Sequence, residues 1–388
     1  MASPSTQTPS FVMPLSFFIH ALGVTSRSFN VRRSLFAVIL SISYFTIFAT
    51  STEDPPLNYG YATAMGSLAF QALDFLVLNE SSKFVLVAQH EHDDKSFVPR
   101  HLRAWQLILT PRGIGWAHEP KDILPPHPPP QPRHTFVLSQ LCSAAVWLII
   151  GDFVNLASRS HPGFQVDGSS IADVGPFMRI LNVFLFAVPS VATLQIQYKM
   201  LCILTTTATL YRPQDCPELF GEWKEAYTIR RFWGRTWHQT MRRWVSAPGN
   251  FIAHDVLELK KGTKLSAYTK LIIAFLVSGT IHQMGDYALK HQSFFAGGSL
   301  SFFMLQAAAI MFEDSVIDIG SSLGICKGTY TWSLGYLWTL TWFALTLPIW
   351  LDPYFHNGMA NVKFSLIGGI WKGDWTGSSV KLPLPLSY

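Results

Sequence analysis

The sequence predicts an all-α, polytopic membrane protein with about seven to nine spanning helices, and three observations lead there. Only 14% of the 388 residues are charged and 49% are hydrophobic, whereas soluble domains carry roughly 25% charged residues. Mean hydropathy is positive, at +0.23. Along the chain, basic-rich connections alternate with basic-poor ones, which is the asymmetry that orients membrane helices.

The elements follow in order. Residues 1–33 form an N-terminal segment, either interfacial or a short membrane helix. Its apolar run lacks a basic flank and a clear cleavage site, so it does not read as a signal peptide. The polytopic domain occupies 34–388. Runs at 34–50, 61–78, 136–156, 177–197, 268–287, 299–319 and 332–351 are apolar enough to span, given that a span takes about 20 residues. The stretch 199–211 is apolar but short. Residues 25–33 hold Arg27, Arg32 and Arg33, and the loops 90–133 and 212–264 are also basic, whereas 51–59 and 157–175 contain one basic residue, Arg159. The three basic connections should therefore face the cytosol. Within 90–133, "DILPPHPPPQPRH" is too rich in proline for a continuous helix.

Composition also excludes classes of function. The net charge of +5 is modest, and the basic residues are interleaved with membrane segments, unlike a nucleic-acid-binding face. Cys142, Cys202, Cys216 and Cys326 are far apart and lack CxxC spacing, so neither a disulfide framework nor a zinc site is indicated. No internal repeat of the kind that builds many transporters is visible.

Two segments carry candidate chemistry. In "RRFWGRTWHQTMRR" (230–243), a helix would align Trp233, Trp237, Met241 and Trp244 in one stripe. Arg231, Arg235, His238 and Arg242 would form a second stripe beside it. Two flanking cations would keep His238 neutral, able to accept a proton or a hydrogen bond. An interfacial helix with arginines on lipid phosphate explains the pattern as well as an anionic-ligand site does, and the pattern alone does not choose.

The second segment is "KLIIAFLVSGTIHQMGDYALK", apolar apart from Ser278, Gly279, His282, Gly285 and Asp286 on one face. Small residues allow a neighbouring helix or ligand to approach. His282 and Asp286 lie one turn apart, so the carboxylate is placed to orient the imidazole. Ionisable groups at the centre of a span cost about 2.5–3.5 kcal/mol on insertion scales and are functional suspects, although a helix-packing hydrogen bond is the plain alternative. In "SFFMLQAAAIMFEDSVID", Gln306 and Glu313 share a face, while Asp314 and Asp318 read as a helix end at the interface. Asp74 has the same ambiguity.

Taken together, "PELFGEWKEAYTIRRFWGRTWHQTMRRW" and "FLVSGTIHQMGDY" resemble the membrane-bound O-acyltransferase superfamily, and its wax-synthase-like branch more closely. "PRGIGWAHEP" (111–120), "PELFGEW" (217–223) and "FEDSVID" (312–318) fit fungal members of that branch that acetylate terpenoid and meroterpenoid products. The resemblance covers roughly 60–350 in scattered blocks. It implies many membrane helices around an internal reaction chamber, with acyl-CoA entering from the cytosol and a hydroxyl acceptor from the membrane or lumenal side. His282 takes the place of the superfamily's histidine, and His238 that of its second polar residue. It implies no cofactor and no metal, acetyl-CoA being a co-substrate. The expected location is the endoplasmic reticulum membrane.

The chemistry agrees. A hydroxyl attacks a thioester only as its proton is removed, and general-base catalysis of this kind contributes about 10²–10⁴-fold. His282, oriented by Asp286, suits the base. His238 suits donation to the developing oxyanion. Arg231, Arg235 and Arg242 would hold the phosphates of CoA, with Trp233, Trp237, Ser278 and Glu313 as further substrate-binding side chains. A long-chain wax-ester synthase is the alternative within this class. Outside it stand a transporter using buried His, Asp and Glu, a prenyltransferase reading "DSVID" as a magnesium-diphosphate motif, and a structural scaffold.

Overall fold

The computed structural model describes residues 6–79, 100–110, 112–291, 293–326, 328–359 and 364–380. Apart from a two-residue parallel ladder pairing Thr6–Gln7 with Thr50–Ser51, the regular structure is helical. In chain order the helices are α1 (Val12–Thr25), α2 (Phe29–Ala49), α3 (Pro55–Ala72, continued by a π-helical turn Leu73–Leu78), α4 (Arg100–Leu109), α5 (Arg133–Ser158) and α6 (Pro176–Thr207). There follow the single turn α7 (Ile229–Arg231), then α8 (Arg242–Phe251), α9 (Lys264–Lys290), α10 (Ser299–Ser322), α11 (Thr329–Tyr354) and α12 (Leu366–Lys372).

Among the described residues seven of these are long and apolar enough to cross a bilayer, and each takes in all or nearly all of one of the seven runs expected from hydropathy. The short stretch at 199–211 is no separate element, because α6 runs on through it to Thr207. The first span starts earlier than expected, at Phe29. Local chemistry sets several boundaries. Asp54 accepts from Leu57 N at the start of α3, where two prolines occupy the first helical positions. Thr263 caps α9 by accepting from Ser266 N, and α9 ends at left-handed His291. Of the connection 90–133, residues 90–99 and 111 lie outside the described residues; α4 occupies 100–109, and the proline-rich part forms no helix up to residue 132.

The chain divides into two compact units. The first comprises residues 1–124 and 238–315, hence α1–α4, α8, α9 and most of α10. Among the described residues its core includes several apolar clusters. Ile47, Ala62, Met65 and Ala288 join α2, α3 and α9, with Val12 of α1. Ile39, Leu68, Phe75, Leu76, Leu107 and Trp116 gather around the end of α3. Trp244 and Val245 of α8 pack on Val277 and Ile281 of α9.

The second unit comprises 125–237 and 316–388. There α5 and α6 pack along each other and α11 lies on α6. Asp152 of α5 anchors α12, accepting from Ser365 Oγ at 3.1 Å and Ile367 N at 2.7 Å.

Both units show the inverted distribution of a membrane protein. Leu138, Val146, Ile149 and Phe153 of α5 are exposed, as are Leu40, Tyr44 and Phe45 of α2. Gln71, Asp74, Lys199, Gln283, Asp286, Gln306 and Glu313 are buried within spans. Polar groups at that depth are retained where partners satisfy them.

Candidate active site

The small-residue face of α9 is used for close approach. A Cβ on Gly279 would stand 3.1 Å from Leu300 Cδ1 and Phe303 Cβ of α10, and one on Gly285 would stand 2.6 Å from Tyr59 Cε2 of α3. His282 lies on this face. It keeps accessible surface although Ile281 and Gln283 on either side of it are buried. Its Nδ1 is 2.8 Å from Tyr59 Oη. The Phe303 ring lies flat against the imidazole, with centroids 5.0 Å apart and planes 7° apart.

Asp286, expected to orient His282, also reaches across to α10. Its Oδ2 accepts from Ser299 N at 3.0 Å and Ser299 Oγ at 2.6 Å, at the first turn of α10. Gln283 works beside it, donating to Phe294 O at 2.5 Å and accepting from Leu300 N at 3.1 Å. The physical reason is the unmet donors of a helix N-terminus, which attract a carboxylate more strongly than a neutral ring does. Through α10, these two side chains set the position of Phe303, one turn beyond Ser299.

His238 requires a correction. Residues 229–244 are not one helix. A π-helical turn, Phe232–Thr236, follows α7, and the backbone then extends at Trp237 (φ −66°, ψ 149°) before α8 begins at Arg242. His238 therefore sits in a break, not between Arg235 and Arg242 on a helical face. Its Nδ1 is 2.7 Å from Thr240 Oγ1. The cations that act on it are others. Burial, then repulsion of its charged form by the His282 and Arg112 side chains, holds His238 well below the usual histidine range, at about 3. His238 and His282 thus share the first unit and interact electrostatically.

Arg112 is 4% exposed and comes from the "PRGIGWAHEP" loop. That loop is anchored by Trp116 in the Phe75–Leu107 cluster and by Glu119 Oε2, which accepts from Gly115 N at 2.9 Å. A buried ion pair holds α8 to α3 nearby: Arg243 Nε is 2.8 Å from Asp74 Oδ2, while Asn79 Nδ2 donates to Asp74 Oδ1 at 2.5 Å. Asp74 is thus a paired structural carboxylate.

The other expected site residues divide between the units. Ser278, on the His282 face, is half-buried and Glu313 is buried, both in the first unit. Arg242, also there, donates to Gln239 Oε1 at 2.9 Å. Trp233, Trp237, Arg231 and Arg235 belong to the second unit. Trp237 stacks on Phe232 and meets Phe220 edge-on, and Trp233 meets Phe343. Arg231 pairs with Glu225 and lies over the Tyr227 ring, so part of its charge is already countered; Arg235 is exposed. Asp314 accepts from Tyr268 Oη at 3.2 Å and Asp318 is exposed.

Sequence reasoning missed Tyr59, Phe303 and Arg112. Tyr59 and His282 are 223 residues apart, and nothing local links them. Arg112 had a signal in its glycine- and tryptophan-bearing loop, which marks a built turn.

Comparison with known proteins places this arrangement. Residues 216–305 match the pattern of the membrane bound O-acyl transferase family, a segment containing both histidines. The acetyltransferase eriL of Hericium erinaceus is 34% identical over 361 residues, covering 91% of this chain and 94% of the relative. The acetyltransferase ple2 of Rhodocybe pseudopiperita is 33% identical over 369 residues, or 94% and 96% of the two chains. The chain belongs to the membrane-bound O-acyltransferase family. The acetyltransferase pyr8 of Aspergillus fumigatus is a more distant relative, 28% identical over 374 residues, 89% of this chain and 85% of its own. As a membrane-bound O-acyltransferase the chain is a multi-pass membrane enzyme that uses an acyl donor, and this supersedes the transporter, prenyltransferase and scaffold readings.

Proposed function

We propose that the chain transfers an acetyl group from acetyl-CoA to a hydroxyl of a terpenoid or meroterpenoid natural product, in the endoplasmic reticulum membrane. The observation that carries the mechanism is the pair His238 and His282, both partly accessible and both in the first unit, each with its Nδ1 held by a hydroxyl. The acetyl donor is supported by the relatives' names, which cover more than nine-tenths of this chain in two cases. The acceptor class follows from the resemblance of the sequence blocks.

In this reaction the acceptor hydroxyl gives its proton to His282 Nε2 as its oxygen attacks the thioester carbonyl carbon. Thr240, donating its hydroxyl to His238 Nδ1, leaves Nε2–H of His238 as a donor to the oxyanion. The guanidinium of Arg112 adds positive charge that acts on His238. The tetrahedral intermediate then expels CoA thiolate, which recovers the proton from the His282 imidazolium, and the acetate ester leaves. Arg242, in the same unit as both histidines, is the cation expected to meet CoA phosphates.

Microsomes containing the chain, supplied with radiolabelled acetyl-CoA or palmitoyl-CoA and with terpenoid alcohols or a fatty alcohol, test this directly. Acetyl ester formed on a terpenoid alcohol is the expected product. Palmitoyl transfer to the fatty alcohol alone would replace the proposal with wax-ester synthesis.

A further inference from the structure

His282 is held from two neighbouring helices. On the α3 side, Tyr59 Oη reaches Nδ1 at 2.8 Å. On the α10 side, Phe303 fixes the ring plane by stacking within 7° of parallel. The acidic group on α9, Asp286, has its Oδ2 engaged by Ser299. The tyrosine ring is itself seated. Gly285, on the turn after His282, leaves room for it, since a Cβ there would come within 2.6 Å of Tyr59 Cε2 and 2.7 Å of Tyr59 Cδ2. Thr63 Oγ1 also donates to Tyr59 O at 2.8 Å, one turn along α3. Both Tyr59 and His282 keep accessible surface, so the pair borders space instead of filling a core.

We propose that Tyr59 is the positioning residue of the acyl-transfer base: its hydroxyl oxygen accepts Nδ1–H of His282 and so holds the tautomer whose Nε2 lone pair faces the acceptor hydroxyl. The assignment rests on the acyl-transfer reading given above. It substitutes a phenol for the carboxylate that orients histidine in many acyl-transfer sites. The difference has a chemical consequence. A carboxylate favours the imidazolium strongly, whereas a neutral phenol orients the ring without adding a negative charge. The proton taken from the acceptor is therefore released readily to the departing thiolate.

The test is a double-mutant cycle in microsomes, with Tyr59→Phe, His282→Ala and both together, measured by transfer from radiolabelled acetyl-CoA. Phenylalanine keeps the ring that packs on Gly285, and thermal stability is followed in parallel. Tyr59→Phe is expected to lower kcat about ten- to hundredfold, with KM for acetyl-CoA changed less than about twofold. In the His282→Ala background it is expected to cause no further loss. An unchanged kcat, an effect confined to KM, or the same fold loss in both backgrounds would overturn the assignment. A wild-type chain that forms no ester from any donor would instead overturn the acyl-transfer reading, and this assignment with it.

Discussion

Replacing Asp286 distinguishes two accounts of the "HQMGD" segment. In the structure its carboxylate closes the first turn of α10, taking Ser299 N at 3.0 Å and Ser299 Oγ at 2.6 Å. Both residues are buried, Ser299 completely. Hydrogen bonds to a charged group contribute about 1.5–3 kcal/mol each, and a buried donor left unsatisfied costs about 1–3 kcal/mol. Asp286→Ala should therefore destabilise the protein by about 3–5 kcal/mol, allowing for the two bonds not being additive. Asp286→Asn keeps an acceptor oxygen and should lose about 1–2 kcal/mol. Its effect on kcat should stay within about tenfold, because Tyr59 holds His282 Nδ1. Thermal unfolding in detergent and steady-state acetyl transfer, made on the same preparations, give both quantities. A wild-type melting temperature with kcat reduced by more than about a thousandfold would refute the reasoning, since that is the signature of a lost imidazole-orienting carboxylate.

Three other outcomes follow from the same geometry. Gly285→Ala introduces a methyl 2.6 Å from Tyr59 Cε2 and 2.7 Å from Thr63 Cγ2; it should cost about 1–3 kcal/mol of stability and displace Tyr59 enough to lower kcat, while wild-type kinetics would show that α3 yields freely there. Arg243→Ala leaves Asp74 buried without its cation and should cost about 3–5 kcal/mol, and pairing it with Asp74→Asn should recover part of that loss in melting experiments. His238 and His118 are both lowered, chiefly by burial, to about 3 and about 4. Between those values and about 6.5 the unfolded chain binds more protons than the folded one, so stability should fall on acidification, by up to about 1.4 kcal/mol per pH unit for each histidine. His238 itself stays neutral across this range, so its substitution to Asn should shift no ionisation in the kcat profile between about pH 5 and 8.

The spans were legible because membrane burial writes itself into local composition. Each of the seven apolar runs lies largely within a helix, and α6 continues into the 199–211 stretch as far as Thr207. His282 was legible for a related reason, as an imidazole in a helix otherwise apolar around it. The 230–243 segment failed as a helix because period alone cannot register tertiary competition. Trp237 is drawn against Phe232 and Phe220, and Thr236 exchanges contacts with the 221–222 backbone, its carbonyl accepting from Gly221 N at 2.9 Å and its hydroxyl donating to Glu222 O at 3.2 Å. Those partners end the helix before His238. The sequence spacing of Asp286 from His282 gave no sign of its link to Ser299, because the helix N-terminus that offers the carboxylate two donors lies 13 residues downstream. Tyr59 could not be found from sequence alone, since its link to His282 exists only after α3 and α9 have packed.

The central claim is that His282 removes the acceptor's proton during acyl transfer. It is tested most directly by counting acetyl ester formed by wild type and His282→Ala at matched membrane insertion and saturating acetyl-CoA. The account predicts ester from wild type and a loss of at least about a hundredfold in the variant. Ester formation by His282→Ala at the wild-type rate would contradict it.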